Sequence, residues 1–260
     1  MPIVTLTTDL GTKDAYVPMI KGSLLSFNQN LKLVDLSHDI PAFDVFKGAE
    51  ILKQAYPYFP VNSLHLLAIN PYDIETYPLI MIKYQGHYFV GADNGMLSFI
   101  AGEKADWAIA LIPQEVDVKW KLFPFIPFFL HAVECWQSGN FSKAGEVMGA
   151  IVQKKPFESY VSLNNLIGYV THIDHFGNAI TNITKEDFEK AKPQNGFSIE
   201  FRTYRTDYLN EHYEEVPPGE QAVLFNSSGF LEIAINSGDA GKLMGLKRND
   251  KVVIRFENAE

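Results

Sequence analysis

Apolar and polar positions alternate so that the first half of the chain divides into strands and helices. Apolar and β-branched runs predict strands at "PIVTLTT", "LKLVDLS" and "SLHLLAI". Between them, apolar residues at helical spacing predict two helices, one with Tyr16, Met19, Ile20 and Leu24 on one face and one with Val45, Ala49, Leu52 and Tyr56 on one face. This order of elements is typical of a parallel sheet covered by helices.

The middle of the chain is predicted to complete this domain. Two alternating runs in "LIMIKYQGHYFVGAD" predict a hairpin, and "ADWAIAL" predicts another strand. Pro127–Ser138 and Ser142–Val152 are predicted to form helices separated by Gly139. We therefore expect an N-terminal α/β domain with a mainly parallel sheet over residues 1–160.

After about Leu163, short strand-like runs separated by Gly, Asn or Pro dominate the chain. These runs are "LIGYVTHI", "AITNIT", "GFSIEFRTY", "AVLFNS", "GFLEIAI" and "KVVIRF". A single short helix is predicted at Lys185–Lys192. The pattern predicts a C-terminal, β-barrel-like domain over residues 161–260, with a linker near "QKKPFESYVSLNN".

Charge and apolar content limit the partners that we expect. The 260 residues carry a net charge of −9 and form no basic stripe, so we expect neither nucleic acid nor an anionic membrane as a partner. The longest apolar stretch, "LFPFIPFFLHAV", is too short for a membrane span and is broken by Pro124 and Pro127.

The cysteine content and the N-terminus favour a cytoplasmic protein. The chain has one cysteine, Cys135, and so cannot form an intramolecular disulfide bond. Cys135 follows a helical, apolar pattern, which favours a core residue over a nucleophile. The segment "MPIVTLTTDL" lacks the basic and apolar regions of a secretory signal.

Three stretches join polar residues and glycine at the ends of predicted strands. In "TTDLGTKDAY", Asp9 can accept hydrogen bonds from a ribose diol and Gly11 permits close approach of a ligand, or Asp9 or Thr12 caps the following helix. In "NSSGFLEIAIN", Ser and Asn groups can bind the charged ends of a small ligand, although such a turn is usually structural.

The third stretch, "DHFGNAITN", allows three interpretations. Phe176 can stack on a planar ring, and Asn178 can bind the edge of a base through its amide. Alternatively, the stretch is a tight turn, which Asx residues and Gly favour. A metal site built on His172 and Asp174 lacks a second ligand cluster, so we predict no metal site.

The predicted strand "SLHLLAI" ends in the loop "NPYDIETY", where an open α/β fold carries its chemistry. Together, these stretches resemble the S-adenosyl-L-methionine (SAM) hydroxide adenosyltransferases, to which fluorinases and chlorinases are related. The motifs that carry the resemblance are "TTDLGTKDAYVPMIKG", "DLSHDIPAFDVFKGAEIL", "GADNGMLS", "DHFGNAITNI" and "NSSGFLEIAINSGDA". They follow the family's order along nearly the whole chain.

The resemblance implies an assembly and a set of ligand contacts. Family members pair an α/β domain with a β-barrel and form trimers, in which the ligand lies between the N-terminal domain of one subunit and the C-terminal domain of its neighbour. The implied partner is a nucleoside ligand, SAM or adenosine, in a homotrimer, with no cofactor. The implied contacts are Asp9 to the ribose hydroxyls, Asp174 to the methionine ammonium, Phe176 and Asn178 to adenine, and Ser227, Ser228 and Glu232 to the rest of the ligand.

The resemblance also exposes a departure from the family's catalytic pattern. Hydrolytic members are expected to hold the attacking water with an Asp, an Arg and a His, and here Asn70, Tyr77 and Pro124 stand at or beside those positions. Asn70 can hold a water molecule but cannot act as a base. Asp73, Glu75 and His131 are the nearby groups considered as substitutes.

Three functions follow from these expectations. The chain hydrolyses SAM to adenosine and methionine by attack of water at the ribose C5′, with Asn70 positioning the water. Alternatively, it binds SAM or adenosine without turnover, or it transfers the adenosyl group to another nucleophile.

Overall fold

The structure is a computed structural model that describes residues 2–113, 120–154, 158–191 and 196–257. The chain divides into two compact units, Met1–Pro156 and Phe157–Glu260, and each has a sheet and a hydrophobic core of its own. Residues 155–157 of the predicted linker lie outside the described residues. The predicted domain bounds stay a prediction.

The first unit alternates strands and helices as the sequence predicts. Its helices are α1 (Tyr16–Phe27), α2 (Val45–Ala55), α3 (Met96–Ala101) and α4 (Ile126–Ser138). Its strands are β1 (Ile3–Thr8), β2 (Lys32–Ser37), β3 (Leu64–Ala68), β4 (Leu79–Tyr84), β5 (His87–Ala92), β6 (Trp107–Leu111) and β7 (Gly145–Val147). They form one mixed sheet in the order β2-β1-β3-β5-β4-β6-β7.

The direction of the strands brings four chain segments to one edge of this sheet. β1 runs parallel to β2 and β3, and β3 runs parallel to β5. β4 and β7 run against the other strands, since β4 pairs antiparallel with β5 and β6, and β6 with β7. The mainly parallel α/β fold is thus confirmed. The loops that follow β1, β2, β3 and β5 therefore leave the sheet at the same edge.

The sheet of the first unit is buried on both faces. Leu66 of β3 and Val90 of β5 pack with Phe129 of α4 in one apolar cluster. The neighbouring Leu67 and Phe89 pack in a second cluster, which holds residues of α2 and α3. Burial on both faces explains why β3, apart from His65, has an apolar rather than an alternating sequence.

Two details of the first unit differ from the prediction. The predicted helix Ser142–Val152 is wrong, because this stretch contains the end of a short 3-10 turn (Phe141–Lys143) followed by β7. A Cβ atom at Gly145 would lie 1.8 Å from the carbonyl oxygen of Ala110, so the glycine permits the close approach that pairs β7 with β6. The helix α3 was not predicted.

Two buried histidines lie at the amino ends of β3 and β5. His65 Nδ1 lies 2.7 Å from Thr5 Oγ1, and His65 Nε2 lies 3.2 Å from His87 Nδ1. The ring of His65 also stacks on Phe89, with 4.9 Å between the centroids. Burial and then the neighbouring His87 lower the pKa of His65 to about 3, and burial lowers the pKa of His87. His65 is therefore neutral at neutral pH.

The second unit is an antiparallel, nearly closed, barrel-like sheet, as predicted. Its strands are β8 (Tyr160–Ser162), β9 (Asn165–Ile173), β10 (Ala179–Thr184), β11 (Phe197–Phe201), β12 (Tyr204–Thr206), β13 (Gln221–Phe225), β14 (Phe230–Ile235) and β15 (Lys251–Phe256). Their order is β12-β11-β15-β9-β10-β14-β13, and β8 pairs with β9. Its helices are α5 (Lys185–Ala191) and α6 (Ala240–Leu243). Lys192, the predicted end of α5, lies outside the described residues.

Replacing His65 is expected to weaken the dependence of stability on pH. The unfolded chain takes up a proton below the ordinary histidine pKa of 6.5, whereas the folded chain keeps His65 neutral down to about pH 3. Its contribution is therefore complete above pH 6.5 and is lost as the pH falls toward 3, with a loss of about 2 kcal/mol between pH 6.5 and 5.

The measurement is urea unfolding of the wild type, His65→Gln and His212→Gln at several pH values. His65→Gln should lose part of the slope between pH 6.5 and 5. His212→Gln, a change at an exposed histidine, should keep the slope. Equal slopes in the wild type and His65→Gln would contradict this role of His65.

Candidate functional site

Asp9 follows β1 and joins two neighbouring loops of the first unit. Its Oδ2 atom accepts hydrogen bonds from the N–H of Phe43, at 2.8 Å, and from the N–H of Asn70, at 3.2 Å. Phe43 belongs to the loop after β2, and Asn70 to the loop after β3. One carboxylate oxygen therefore satisfies two backbone donors that the ends of the strands leave free.

The other carboxylate oxygen of Asp9 has a different environment. Asp9 Oδ1 is buried and has no hydrogen-bond partner in the part of the chain that the structure describes. A buried carboxylate oxygen without a donor is costly, so this atom is available to a donor group of a ligand.

The helix-capping alternative for this motif is wrong. Helix α1 begins at Tyr16, and its N-cap residue is Ala15, with no side chain capping the helix. Gly11 has a φ of 69°, and its N–H donates to the carbonyl of His38 at 2.8 Å. The glycine thus lets the loop after β1 turn against the loop after β2.

Phe43 is a further candidate site residue, which was not predicted from the sequence. Its φ is 67°, a left-handed backbone conformation that is rare for an aromatic residue, and its side chain is 66% exposed. The hydrogen bond from its N–H to Asp9 holds this conformation. Strained backbone of this kind is typical of ligand-binding positions, and it presents an aromatic ring beside the loop that Asp9 holds.

Aromatic contacts bring three segments of the first unit together near Asp9. The ring of Tyr72 packs edge-on against Phe125, at a centroid distance of 5.8 Å, and Tyr16 packs against Phe123 at 5.5 Å. Burial, followed by the charge of Asp9 and the proximity of Tyr16, raises the pKa of Tyr72. The loop after β3 therefore lies near Asp9, and the start of α1 and the segment that leads into α4 meet through these aromatic contacts.

The three predicted catalytic positions lie in two of these segments: Asn70 and Tyr77 in the loop after β3, and Pro124 in the segment that leads into α4. Asn70 has a φ of 47° and is partly buried. Pro124 lies between Phe123 and Phe125, in the same segment that contacts Tyr16 and Tyr72. The N–H of Tyr77 donates to the Asp73 carbonyl, so Tyr77 closes the turn of the loop after β3.

The groups considered as substitutes for a catalytic acid or base have structural roles or lie in solvent. Asp73 and Glu75 are exposed, and Asp73 Oδ1 accepts the N–H of Thr76 at 3.0 Å. His131 is buried, and its Nε2 lies 3.1 Å from the carbonyl oxygen of Ala144. Burial raises the pKa of the Cys135 thiol, which agrees with a core residue.

In the second unit, Asp174 organises the turn between β9 and β10. Its Oδ1 accepts the N–H of Phe176, at 2.9 Å, and that of Asn178, at 2.8 Å, and Asn178 Nδ2 lies 3.4 Å from Asp174 Oδ2. Gly177 has a φ of 89°, and a Cβ there would lie 2.3 Å from Asp239 Cγ. The turn interpretation of this stretch is therefore confirmed for the backbone, while its ligand contacts stay predictions.

Phe176 differs from the other residues of this turn in its large exposed aromatic surface. Its side chain is 75% exposed and contacts the ring of His175 at 5.6 Å. Asn178, by contrast, is buried. An exposed aromatic ring on a turn fixed by hydrogen bonds is well suited to stacking on a planar ligand.

Glu232 is buried on β14 and joins two other segments of the second unit. Its Oε1 accepts the hydroxyl of Tyr213, at 2.6 Å, and its Oε2 accepts Asn226 Nδ2, at 3.1 Å. The pKa of Tyr213 is raised by burial, then by the hydrogen bond to Glu232 and its charge, and also by the charge of Asp174. Glu232, Tyr213 and Asp174 thus lie in one region. Tyr213 is a residue that no motif of the sequence indicated.

Ser227 and Ser228 lie in the turn that Asn226 holds. Asn226 Oδ1 accepts the N–H groups of Ser228 and Phe230, at 3.0 and 3.1 Å. Both serine side chains are exposed. Their hydroxyls are therefore open to a ligand, while Asn226 and Glu232 keep the turn in shape.

One cluster in the second unit has a possible metal-ligand arrangement. Glu211, His212 and Glu215 place one ligand atom each within 4.8 Å of one another, and all three residues are exposed. His172 and Asp174, the metal ligands considered from the sequence, belong to no such group among the described residues. Exposed acidic groups often lie close together without a metal, so this cluster does not by itself indicate a metal site.

Comparison with known proteins identifies the family. Residues 4–133 match the family model described as the SAM hydroxide adenosyltransferase N-terminal domain, and residues 168–253 match that of its C-terminal domain. The chain belongs to the SAM hydroxide adenosyltransferase family. Within this family it resembles the (R)-S-adenosyl-L-methionine hydrolase of Methanocaldococcus jannaschii, with 30% identity over 98% of this chain and 97% of the relative.

Other similar proteins include some named (R)-S-adenosyl-L-methionine hydrolase and some named fluorinase. The chain is 25% identical to the fluorinase of an Actinoplanes species, over 97% of both chains. A crystal structure of an uncharacterized conserved protein from Thermotoga maritima matches with a TM-score of 0.82 and 26% identity, over 97% of this chain and 99% of the other. Across the described residues, no helix has the length and apolar character that crossing a membrane requires.

Two substitutions of Asp9 are expected to distinguish the structural role of Oδ2 from the role of Oδ1. Asp9→Ala should lower the free energy of unfolding by about 1–2 kcal/mol, because the N–H groups of Phe43 and Asn70 lose their acceptor. Asp9→Asn should cost less than about 1 kcal/mol, because its carboxamide oxygen can accept both bonds and its NH₂ group then replaces Oδ1.

Urea unfolding of the two variants measures the difference. Asp73→Ala serves as a control, since it removes a carboxylate from an exposed turn of the same unit. Equal destabilisation by Asp9→Ala and Asp9→Asn would contradict the role of Oδ2 in joining the two loops.

Proposed function

We propose that this chain hydrolyses SAM to adenosine and L-methionine. Water attacks the ribose C5′, the bond between C5′ and the sulfonium sulfur breaks, and methionine leaves as a neutral thioether. One proton is released for each adenosine formed. Membership of the family and similarity to proteins named (R)-S-adenosyl-L-methionine hydrolase support this assignment.

The observation that carries the proposal is the unpaired oxygen of Asp9. Oδ1 is buried and lacks a donor among the described residues, while Oδ2 of the same carboxylate is used by the two loops. A ribose hydroxyl is a donor of the required kind, and its hydrogen bond to a carboxylate is stronger than one to a neutral acceptor. Ribose binding would therefore give this buried carboxylate oxygen the donor that it lacks among the described residues.

The side chain of Asn70 is proposed to bind the attacking water. Its backbone is fixed beside Asp9, and its side-chain amide offers both a donor and an acceptor for a water molecule. Tyr16 and Tyr72, with Phe43, supply aromatic surface that would exclude bulk water from the nucleoside. This site would act by positioning the water, since Asn70 cannot take its proton.

The second unit is proposed to hold the remaining parts of SAM. Phe176 would stack on adenine, Asn178 would bind its edge, and Asp174 would meet the methionine ammonium. Ser227 and Ser228 would bind through their exposed hydroxyls. Glu232 is assigned to the same region, where its two hydrogen bonds to Tyr213 and Asn226 support the shape of the turn.

We further propose that the chain forms a homotrimer in the cytoplasm. The first unit of one subunit and the second unit of its neighbour would each supply part of a site, with no cofactor. The family resemblance supports this assembly, and a single cysteine is compatible with a reducing compartment.

A second candidate function is binding of SAM or adenosine without turnover. It is favoured by the chemistry of the loop after β3, which offers an amide at Asn70 and exposed carboxylates at Asp73 and Glu75. Under this function, the Asp9 oxygen would still hold ribose, while no water would be activated.

Incubation with SAM tests hydrolysis directly. Adenosine and methionine are followed by chromatography in water enriched in ¹⁸O, with both sulfonium epimers, because relatives are named for the (R) form. We expect ¹⁸O in the 5′-hydroxyl of adenosine and a loss of product by about tenfold or more in Asp9→Asn, which replaces a charged acceptor by a donor.

Two other outcomes would overturn hydrolysis. If the wild type forms no more adenosine than Asp9→Asn, hydrolysis is excluded and binding without turnover remains as the proposed function. Formation of 5′-halogenated nucleosides with chloride or fluoride, in place of adenosine, would assign a different nucleophile.

Adenosine binding measured by calorimetry tests the assignment of Phe176. Phe176→Ala should weaken binding by about 1–3 kcal/mol, as expected for loss of stacking on a base. The unfolding midpoint should stay within error, because this ring is exposed. Leu163→Ala, at a side chain that is 92% exposed in the same unit, is the matched control. Unchanged affinity in Phe176→Ala would contradict the stacking role.

A further inference from the structure

The peptide group between Ile69 and Asn70 is held on both sides by polar side chains. Its N–H, which belongs to Asn70, donates to Asp9 Oδ2 at 3.2 Å. Its carbonyl, which belongs to Ile69, accepts a hydrogen bond from Asn94 Nδ2 at 3.3 Å. Asp9 follows β1, Asn70 follows β3 and Asn94 follows β5, so three neighbouring parallel strands meet at this peptide group.

Asn94 is itself well fixed. Its side chain is only 2% exposed, and its Oδ1 accepts the N–H of Met96, at 3.2 Å, at the start of α3. This second hydrogen bond orients the amide so that Nδ2, not Oδ1, points to the Ile69 carbonyl. A buried donor with both of its amide atoms engaged has little freedom to move.

The fixed peptide plane determines where the Asn70 side chain points. Asn70 has a φ of 47°, a left-handed conformation that asparagine tolerates better than most residues but that needs support from its surroundings. Rotation of the peptide would remove the Asn70 N–H from Asp9 and the Ile69 carbonyl from Asn94 together. The two hydrogen bonds therefore oppose the same movement.

We propose that Asn94 is a positioning residue for the proposed water site. By holding the Ile69 carbonyl, it fixes the peptide that orients Asn70, and it keeps the Asn70 N–H on Asp9 Oδ2 so that Oδ1 stays free. Asn94 acts through this peptide and not by contact with the ligand. This inference rests on the proposed function for its effect on catalysis, but not for its effect on the loop.

The substitution Asn94→Asp changes this contact with little change in shape. A carboxylate can still accept the N–H of Met96, but it cannot donate to the Ile69 carbonyl and would repel it. Ser63→Ala is the matched control. Ser63 is also buried, and its hydroxyl donates to the carbonyl of Pro60 at 2.7 Å, near the amino end of β3 and away from Asn70.

Exchange of the Asn70 amide proton tests the effect on the loop without requiring activity. In protein labelled with ¹⁵N, Asn94→Asp should speed exchange of the Asn70 N–H by about tenfold or more, whereas Ser63→Ala should leave it within about twofold. Equal rates at Asn70 in the wild type and Asn94→Asp would overturn the inference.

Kinetics with SAM tests the effect on catalysis. Asn94→Asp should lower kcat by about 10- to 100-fold, because misplacement of a positioning group by about 1 Å has effects of this size. KM should change much less. In combination with Asn70→Ala, the two losses in kcat should not multiply, since one residue acts through the other.

The outcomes distinguish this inference from the proposed function. A wild type that forms no adenosine would overturn hydrolysis, and exchange at Asn70 would then decide the positioning role alone. An active wild type with full kcat in Asn94→Asp, or with losses that multiply in the double variant, would overturn the inference and leave hydrolysis in place.

Discussion

The geometry of the first unit depends on how the ends of its parallel strands are satisfied. The loops after β2 and β3 each bring a backbone N–H to the same edge of the sheet, where no further strand can accept it. Asp9 Oδ2 accepts both, with the Phe43 donor at 2.8 Å and the Asn70 donor at 3.2 Å. Because both donors use the same oxygen, the second oxygen stays buried and has no partner among the residues that the structure describes. The hydrogen bonds that join the two loops to Oδ2 thus also leave Oδ1 as an acceptor that a ligand can use.

The second unit uses its carboxylates differently. Asp174 binds the N–H groups of its own turn through Oδ1, and Glu232 engages Tyr213 and Asn226 with its two oxygens. The groups left open there are the Phe176 ring and the hydroxyls of Ser227 and Ser228, all on exposed turns. In this unit the charged residues therefore maintain the turns, and the exposed aromatic and hydroxyl groups are the ones open to the proposed ligand contacts.

The strands and most helices could be predicted because the core imposes a period on the sequence. The run Leu64–Ala68 is apolar apart from His65 and does not alternate, because both faces of β3 are buried. The helix predicted at Ser142–Val152 failed because the close contact of Gly145 with Ala110 is a tertiary constraint, which local spacing does not encode.

Individual residues of the candidate site could be predicted from the sequence, but the contacts between them could not. Asp9 and Asn70 could be named from the sequence, because a polar residue at the end of an apolar run is visible there. Their connection could not, since the hydrogen bond joins residues that are 61 positions apart. The same applies to Tyr213, which meets Glu232 across 19 positions, and to Phe43, whose left-handed backbone depends on its contact with Asp9.

With an amide in place of a carboxylate at residue 70, the proposed reaction has no base at this position and depends more on the alignment of the water. In displacement at a saturated carbon by water, the new C–O bond forms before the proton must leave, and a sulfonium is a good leaving group that departs as a neutral thioether. Loss of a base is therefore less damaging here than in a reaction with a poor leaving group. The reaction still requires alignment of the water with the breaking bond. That alignment depends on the orientation of Asn70, and hence on the peptide that Asp9 and Asn94 hold from opposite sides.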